Sequence, residues 1–268
     1  MRLVWLVGLT RSGEGRMQDP ELLWTAMADF AAKVVPESKV ELRFQERSAH
    51  KVNYPLIIPS LFLANKAQLV EEAIKCEHEG FDAVVMAPAI DPSLDEARAL
   101  ASIPVVGSLE SGMAVSQFIG RRVGIIGVRA GYTTIIDANV KRYGLRERMI
   151  DNRPVRFWEM DYKDVTRALL GDGDDFIKKF EQVGQELIDD GADVLVGGCQ
   201  FFGAILNRVG YKWVIGKGVP FIDCAAAGLK MAESMVGLAR SIGLKKSESP
   251  FSPFQSIDPA LIHGGAKG

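Results

Sequence analysis

Cysteine is scarce in this chain: 268 residues hold three, Cys76, Cys199 and Cys224. An odd number at wide spacing indicates neither a disulfide framework nor a zinc knuckle. Basic runs with interleaved aromatics are missing too. Lys and Arg number 32 against 34 Asp and Glu, a formal net charge of −2, so nothing here attracts a nucleic acid. Long hydrophobic runs are absent. The N-terminal apolar stretch, within "MRLVWLVGLTRSGEG", is about seven residues, far short of a membrane span, and it lacks the basic leader and small-residue cleavage site of a signal peptide. Neither "VGIIGVRAG" nor "GLTRSGEG" has the G-x-G-x-x-G or Walker spacing of a nucleotide loop. These absences point to a protein of the reducing cytoplasm without nucleic-acid or membrane partners.

What remains is ordinary for a globular chain with a sizeable core: 47% hydrophobic and 25% charged residues. Short β-branched runs alternate with longer amphipathic ones, as in βαβ units with parallel strands. Strands are expected at Arg2–Leu9, in "VELRFQE", "FDAVVMAP" and "IPVVGS", then at Arg121–Val128, in "VRFWEMD", "ADVLVGG" and "VPFIDCA". Helices are expected after the Asp19 cap with Pro20 in first position. Others fall in "NKAQLVEEAIKCEHEG", "IIDANVKRYGL", "DDFIKKFEQVGQELIDDG" and "AAAGLKMAESMVGLARSIGL". The first half of "SAHKVNYPLIIPSLFL" reads as a long functional loop, and the Ser/Pro/Gly-rich residues 246–268 as a mobile tail.

The chain repeats itself. Gly80-Phe81-Asp82-Ala83-Val84-Val85 matches Gly191-Ala192-Asp193-Val194-Leu195-Val196 at an offset of 111, which makes Pro88 the positional twin of Cys199. Downstream, Ile103–Gly112 parallels Val219–Gly228. The fold class is therefore α/β: two similar lobes with mainly parallel sheets, related by a pseudo-twofold duplication, with an active-site cleft between them. Residues 1–112, completed by the C-terminal helix 225–245, form the first lobe and 113–224 the second. Ligands of open α/β sheets sit at the carboxyl ends of strands, where Pro88 and Cys199 would face each other. Cysteine is also a common buried residue and is mostly inert when buried. Cys76, beside His78 but without a second ligand cluster, is not read as a metal site; Cys224 reads as core.

"GFDAVVMAPAIDPSLDEARALASIPVVG" resembles the first motif of the aspartate/glutamate/hydantoin racemase superfamily, nearest in flavour to hydantoin and allantoin racemases, and "GADVLVGGCQFFGAIL" resembles the second. "VPFIDCAAAGLKMAE" is similar to the strand and helix that follow, and "RRVGIIGVRAGYTT" to the start of the second lobe. The resemblance spans nearly the whole chain. It implies cofactor-independent proton transfer at a carbon next to a carbonyl, in a small carboxylate or hydantoin-like substrate. Cys199 would be the proton donor or acceptor, with no metal and no organic cofactor. It also implies substrate contacts from Thr10 and Arg11, from Pro88, Ala89 and Asp91, from Tyr132, Thr133 and Thr134, and from Gly198 and Gln200.

The sequence departs from that pattern where the first thiol should stand. Pro88 cannot carry a proton, the first loop reads Thr10-Arg11-Ser12, and Gln200 follows the second cysteine. Arylmalonate decarboxylases of the same superfamily also keep only the second cysteine, which protonates an enolate from one face. Three readings stay open: racemisation with a substitute base, His50 or Asp91; one-sided protonation in a decarboxylase or isomerase; and a non-catalytic protein that binds a small acid. Thr133 and Thr134 are alternatively helix caps, Asp91 a turn residue, Arg11 a carboxylate clamp or part of a flexible loop, and Glu110 a solvated helix-start residue. Assembly into a homo-oligomer is left open.

Overall fold

Among the described residues, nine strands and the helices between them arise where β-branched runs and amphipathic runs alternate. The computed structural model describes residues 1–13, 17–45, 59–247, 249 and 252, with the backbone alone at 59–62. His50, the expected loop in the first half of 48–63 and nearly all of the expected tail lie outside the described residues. In chain order the first half contains β1 (Arg2–Thr10), α1 (Pro20–Val34), β2 (Lys39–Gln45), α2 (Pro59–His78) and β3 (Ala83–Met86). It continues with α3 (Leu94–Leu100), β4 (Val105–Gly107) and α4 (Ser108–Ile119). The second half contains β5 (Val123–Gly127), α5 (Thr133–Arg142), β6 (Val155–Phe157), α6 (Tyr162–Leu169) and α7 (Asp174–Asp189). β7 (Val194–Gly197), α8 (Phe202–Arg208), β8 (Val214–Ile215), β9 (Val219–Ile222) and α9 (Cys224–Ile242) complete it.

The strands make two sheets, ordered β2-β1-β3-β4 and β6-β5-β7-β9-β8. Every pairing is parallel except β8 with β9. The first four strands of each sheet follow the same order, so β3 and β7, the strands of the sequence repeat, hold the same place in their sheets. Both are wholly buried, which explains their unbroken apolar character. Helix α9 returns to pack on β1, β3 and β4 of the first sheet and on α4. Among the described residues no helix is long and apolar enough to cross a membrane.

Local chemistry sets several boundaries. Asp19 caps α1 by accepting from the Leu22 N–H, with Pro20 in the first turn, where its missing N–H costs nothing. Helix α2 starts six residues before the expected Asn65, because Pro59 opens the helix instead of ending a loop. Lys246, assigned by sequence to the tail, donates to the carbonyls of Arg98, Ala99 and Ala101 and so closes the C-terminal end of α3.

Aromatic packing joins the two halves, where Phe30 of α1 stacks on Trp213 at 5.9 Å and Trp24 meets Phe201 at 6.3 Å. It continues within the second half, where Phe202 on α8 stacks on Trp158 with centroids 5.7 Å apart and meets Phe180 edge-on at 5.4 Å. Beside it, Gly203 brings α8 against α1 and α9. A Cβ there would lie 2.7 Å from the Asp223 carboxylate and closer still to the Phe30 ring. Gly203→Ala is therefore expected to destabilise the protein by about 1–3 kcal/mol, as overpacking does. A lower urea midpoint with an unchanged slope would show it.

Candidate active site

Five strands of both sheets end around one small cavity of about 60 Å³. From the first sheet come Leu9, at the end of β1, and Pro88, Ala89 and Ile90, after β3. From the second come Val128, Arg129 and Tyr132 after β5, Met160 and Tyr162 after β6, and Gly198, Cys199, Gln200 and Phe201 after β7. The carboxyl-end location is the one that open parallel sheets offer a ligand. A larger cavity of about 670 Å³ lies elsewhere, between α4, α9 and the β4 edge, and is lined by residues such as Val105, Ser111, Met231 and Met235. It contains none of the residues discussed for proton chemistry.

Six of the residues singled out from sequence meet in the smaller cavity: Pro88, Ala89, Tyr132, Gly198, Cys199 and Gln200. Pro88 and Cys199 line it together. The Pro88 ring packs on β1, where a Cβ on Gly8 would lie 2.7 Å from Pro88 Cγ. Cys199 is 6% exposed, while Cys76 and Cys224 are fully buried away from the cavity.

The other singled-out residues stand apart from the lining, each for a visible reason. Thr10 hydrogen-bonds Ser12 at 3.1 Å. Arg11 is exposed and paired with Glu21 at 2.8 and 2.9 Å. Asp91 is buried beneath the turn after Pro88 and accepts from the N–H groups of Leu109 and Glu110 and from the Tyr143 hydroxyl. Thr133 Oγ1 donates to the Ala130 carbonyl at the start of α5, next to an exposed Thr134. Glu110 is ion-paired with Arg98. Sequence reasoning passed over Arg129, Met160 and Tyr162. Arg129 is buried, with its guanidinium donating to the Glu159 carboxylate at 3.3 Å and the Met160 carbonyl at 3.0 Å.

The electrostatics run against a resting thiolate. Burial pushes the Cys199 thiol up to about 12, and the Asp223 charge pushes the same way. The Phe201 N–H, donating to Sγ at 3.4 Å, the Phe202 N–H and the Arg129 charge pull it down without overcoming burial. N–H support from the start of α8 is present, but the low dielectric outweighs it. At neutral pH Cys199 is therefore a neutral acid.

Two carboxyls beside the site are also displaced upward by burial, Asp91 to about 6 and Asp223 to about 7. Unfolded, each titrates near 3.9, so the folded state binds their protons more tightly. Their contribution favours the fold below about pH 4 and is lost as the pH rises through about 6 to 7. The urea midpoint is expected to be higher at pH 5.5 than at pH 8, and an equal or lower midpoint at pH 5.5 would contradict the shifts.

Two mainly parallel sheets that end on a shared cavity, with a thiol on one wall, place the chain among α/β enzymes. A model of the Asp/Glu/hydantoin racemase family matches residues 58–232, and the chain belongs to that family. The hydantoin racemase of Pseudomonas sp. (strain NS671) is 28% identical over 180 residues, covering 67% of this chain and 68% of that protein. The hydantoin racemase of Rhizobium meliloti is 33% identical over 174 residues, covering 63% and 66%. The allantoin racemase from Klebsiella pneumoniae shares the fold with a TM-score of 0.72 at 20% identity, over 97% of this chain and 96% of that one. Unliganded arylmalonate decarboxylase shares it at 0.53 and 11%, over 88% and 92%.

Proposed function

We propose that this protein is a cofactor-independent, racemase-like enzyme that moves a proton at the carbon next to a carbonyl in a small carboxylate or hydantoin-like substrate. Cys199 gives or takes that proton. One observation carries the reading: of the three cysteines, Cys199 alone lines the cavity at the carboxyl ends of both sheets. The family membership and the hydantoin racemases among its relatives support the reaction class.

The surroundings have matching roles. Arg129 supplies positive charge where an enolate oxygen develops, and buried fixed charges of this kind are effective there. Gln200 Oε1 is buried with no hydrogen-bond partner among the described residues, and an unanswered acceptor favours a substrate that brings an N–H, as a hydantoin ring does. The cavity's small volume favours a compact molecule. The reading treats residues 1–112 with 225–245, and 113–224, as duplicated lobes, which the packing of α9 on the first sheet supports.

A second reading is favoured by the wall opposite the thiol. Pro88 is apolar and has no proton to exchange, so Cys199 working alone would deliver its proton to one face, as a decarboxylase or isomerase requires. Incubation of enantiopure hydantoins, allantoin and arylmalonates in deuterated water tests both. Proton NMR reads deuterium entering the carbon and optical rotation reads inversion. Exchange with loss of rotation supports racemisation, and exchange or decarboxylation with one configuration supports the one-sided reading. No exchange with any of them, alongside measurable binding, would leave a small-acid-binding protein instead.

A further inference from the structure

Two buried carboxyls stand at the starts of α4 and α9, and they are used differently. Helix α4 begins after Gly107, and its terminal N–H groups are answered by Asp91, which lies in the turn after Pro88. Asp91 accepts from Leu109 N at 3.0 Å, Glu110 N at 2.8 Å and the Tyr143 hydroxyl at 2.6 Å, so both oxygens are engaged. A Cβ on Gly107 would come within 2.6 Å of that carboxylate. In the sequence repeat Gly107 aligns with Asp223, which starts α9 and caps it with its own side chain. Asp223 Oδ1 accepts from Ala226 N at 2.8 Å, but Oδ2 is buried with no hydrogen-bond partner among the described residues. The carboxyl on the proline side is tied down, and the one on the thiol side has an oxygen to spare.

Asp223 and Cys199 also follow the ends of neighbouring strands. Strands β7 and β9 are parallel neighbours with Val196 opposite Ile222. Asp223 is one residue past that pair and Cys199 three, at the same end of adjoining strands. We propose that Asp223 is a positioning residue that keeps Cys199 a neutral proton donor. Its carboxylate opposes a second negative charge at that end of the sheet, so the pair carries at most one. The proposal rests on the reading of Cys199 as the working thiol.

The groups around the pair are few. Arg129, after β5, opposes Asp223 by drawing the thiol down. Cys224 follows Asp223 on α9 and feels both Asp223 and Asp91. On the carboxyl itself act the N–H groups of Ala226 and Ala225 of α9 and of Gly203 of α8, which pull it down without overcoming burial. Burial holds both Asp223 and Cys199 above their usual ranges, and the Asp223 charge adds to the thiol's rise. As the pH climbs through the ionisation of Asp223, the thiol becomes harder to ionise. Two coupled groups then titrate as a unit.

The test is alkylation of the full-length protein by iodoacetamide across pH, with peptide mass spectrometry reporting each cysteine. For Cys199, the logarithm of the rate is expected to rise with pH, flatten around pH 7, and rise again. In Asp223→Asn, which keeps an Oδ1 for Ala226 N–H, the flat region disappears and the Cys199 rate at pH 8 rises about tenfold, one pKa unit. Cys76, in the first half's core, is the internal reference and keeps its rate. An unchanged or slower Cys199 in Asp223→Asn, at a constant Cys76 rate, overturns the proposal. Should Asp223→Asn loosen the fold, all three cysteines speed up together and the wild-type curve decides. An unbroken single slope there overturns the proposal as well. Isotope exchange at a substrate carbon is read separately: a protein inactive in exchange that still shows the broken curve sinks the functional reading and leaves this one standing.

Discussion

Cys199→Ser is expected to slow deuterium exchange at the substrate carbon by about 10²–10⁴-fold, the range lost with a positioned acid or base. Serine keeps the size and place of the side chain and still accepts the Phe201 N–H that now meets Sγ, so the fold should be little disturbed. What it loses is acidity: a hydroxyl in the same buried setting is a far poorer donor than a thiol. Burial already displaces the thiol upward, so it rests protonated at neutral pH and takes a proton only through a minor thiolate form. A group so rarely ionised serves first as an acid. Cys76→Ala and Cys224→Ala provide the contrast. Both cysteines are fully buried outside the cavity, so their loss should lower stability while leaving the exchange rate within a few-fold. Equal exchange in Cys199→Ser and the native protein would remove Cys199 from the reaction.

How far the sequence foretold this site depends on whether the signal was local. The parallel strands were legible because β3 and β7 are buried on both faces and read as unbroken apolar runs. Pro88 and Cys199 were legible because the repeat aligns them, and both line the cavity. Helix α4 was marked only through Glu110 as a helix-start residue, because the helix follows Gly107 with no side-chain cap of its own and borrows Asp91 from much earlier in the chain. Helix α3 follows Ser93, which sits in the left-handed region without a capping bond, so it too has no local start signal. Arg129, Met160 and Tyr162 were missed because the loops after β5 and β6 reach the cavity only through tertiary packing. Asp223 reads in the sequence as any acidic residue before a helix. That one of its oxygens is left unanswered is a fact of packing, invisible to spacing.

The wall opposite Cys199 makes the sharpest prediction. Pro88→Cys is expected to turn stereospecific exchange into interconversion of enantiomers, with optical rotation falling at a rate comparable to deuterium entry. The geometry admits the change. Pro88 follows β3 as Cys199 follows β7, in the same place of two like-ordered sheets, and both line the cavity. Cysteine is smaller than the proline ring now packed over Gly8, so it introduces no clash, and the Pro88 carbonyl that accepts from Asp91 N at 2.9 Å is retained. The lost ring contact on β1 should cost about 1 kcal/mol, a small fraction of a domain's stability. A new thiol there gives an acid or base on each face, which is what inversion of a carbon centre requires. Pro88→Cys combined with Cys199→Ser should then protonate from the first wall alone and yield the opposite enantiomer to the native protein. If the native protein already destroys optical rotation as fast as it exchanges deuterium, a second base serves the Pro88 face. Asp91 is a poor choice for that base, because three donors hold its carboxyl in the turn, and the search would move to side chains that reach the cavity from beyond its described lining.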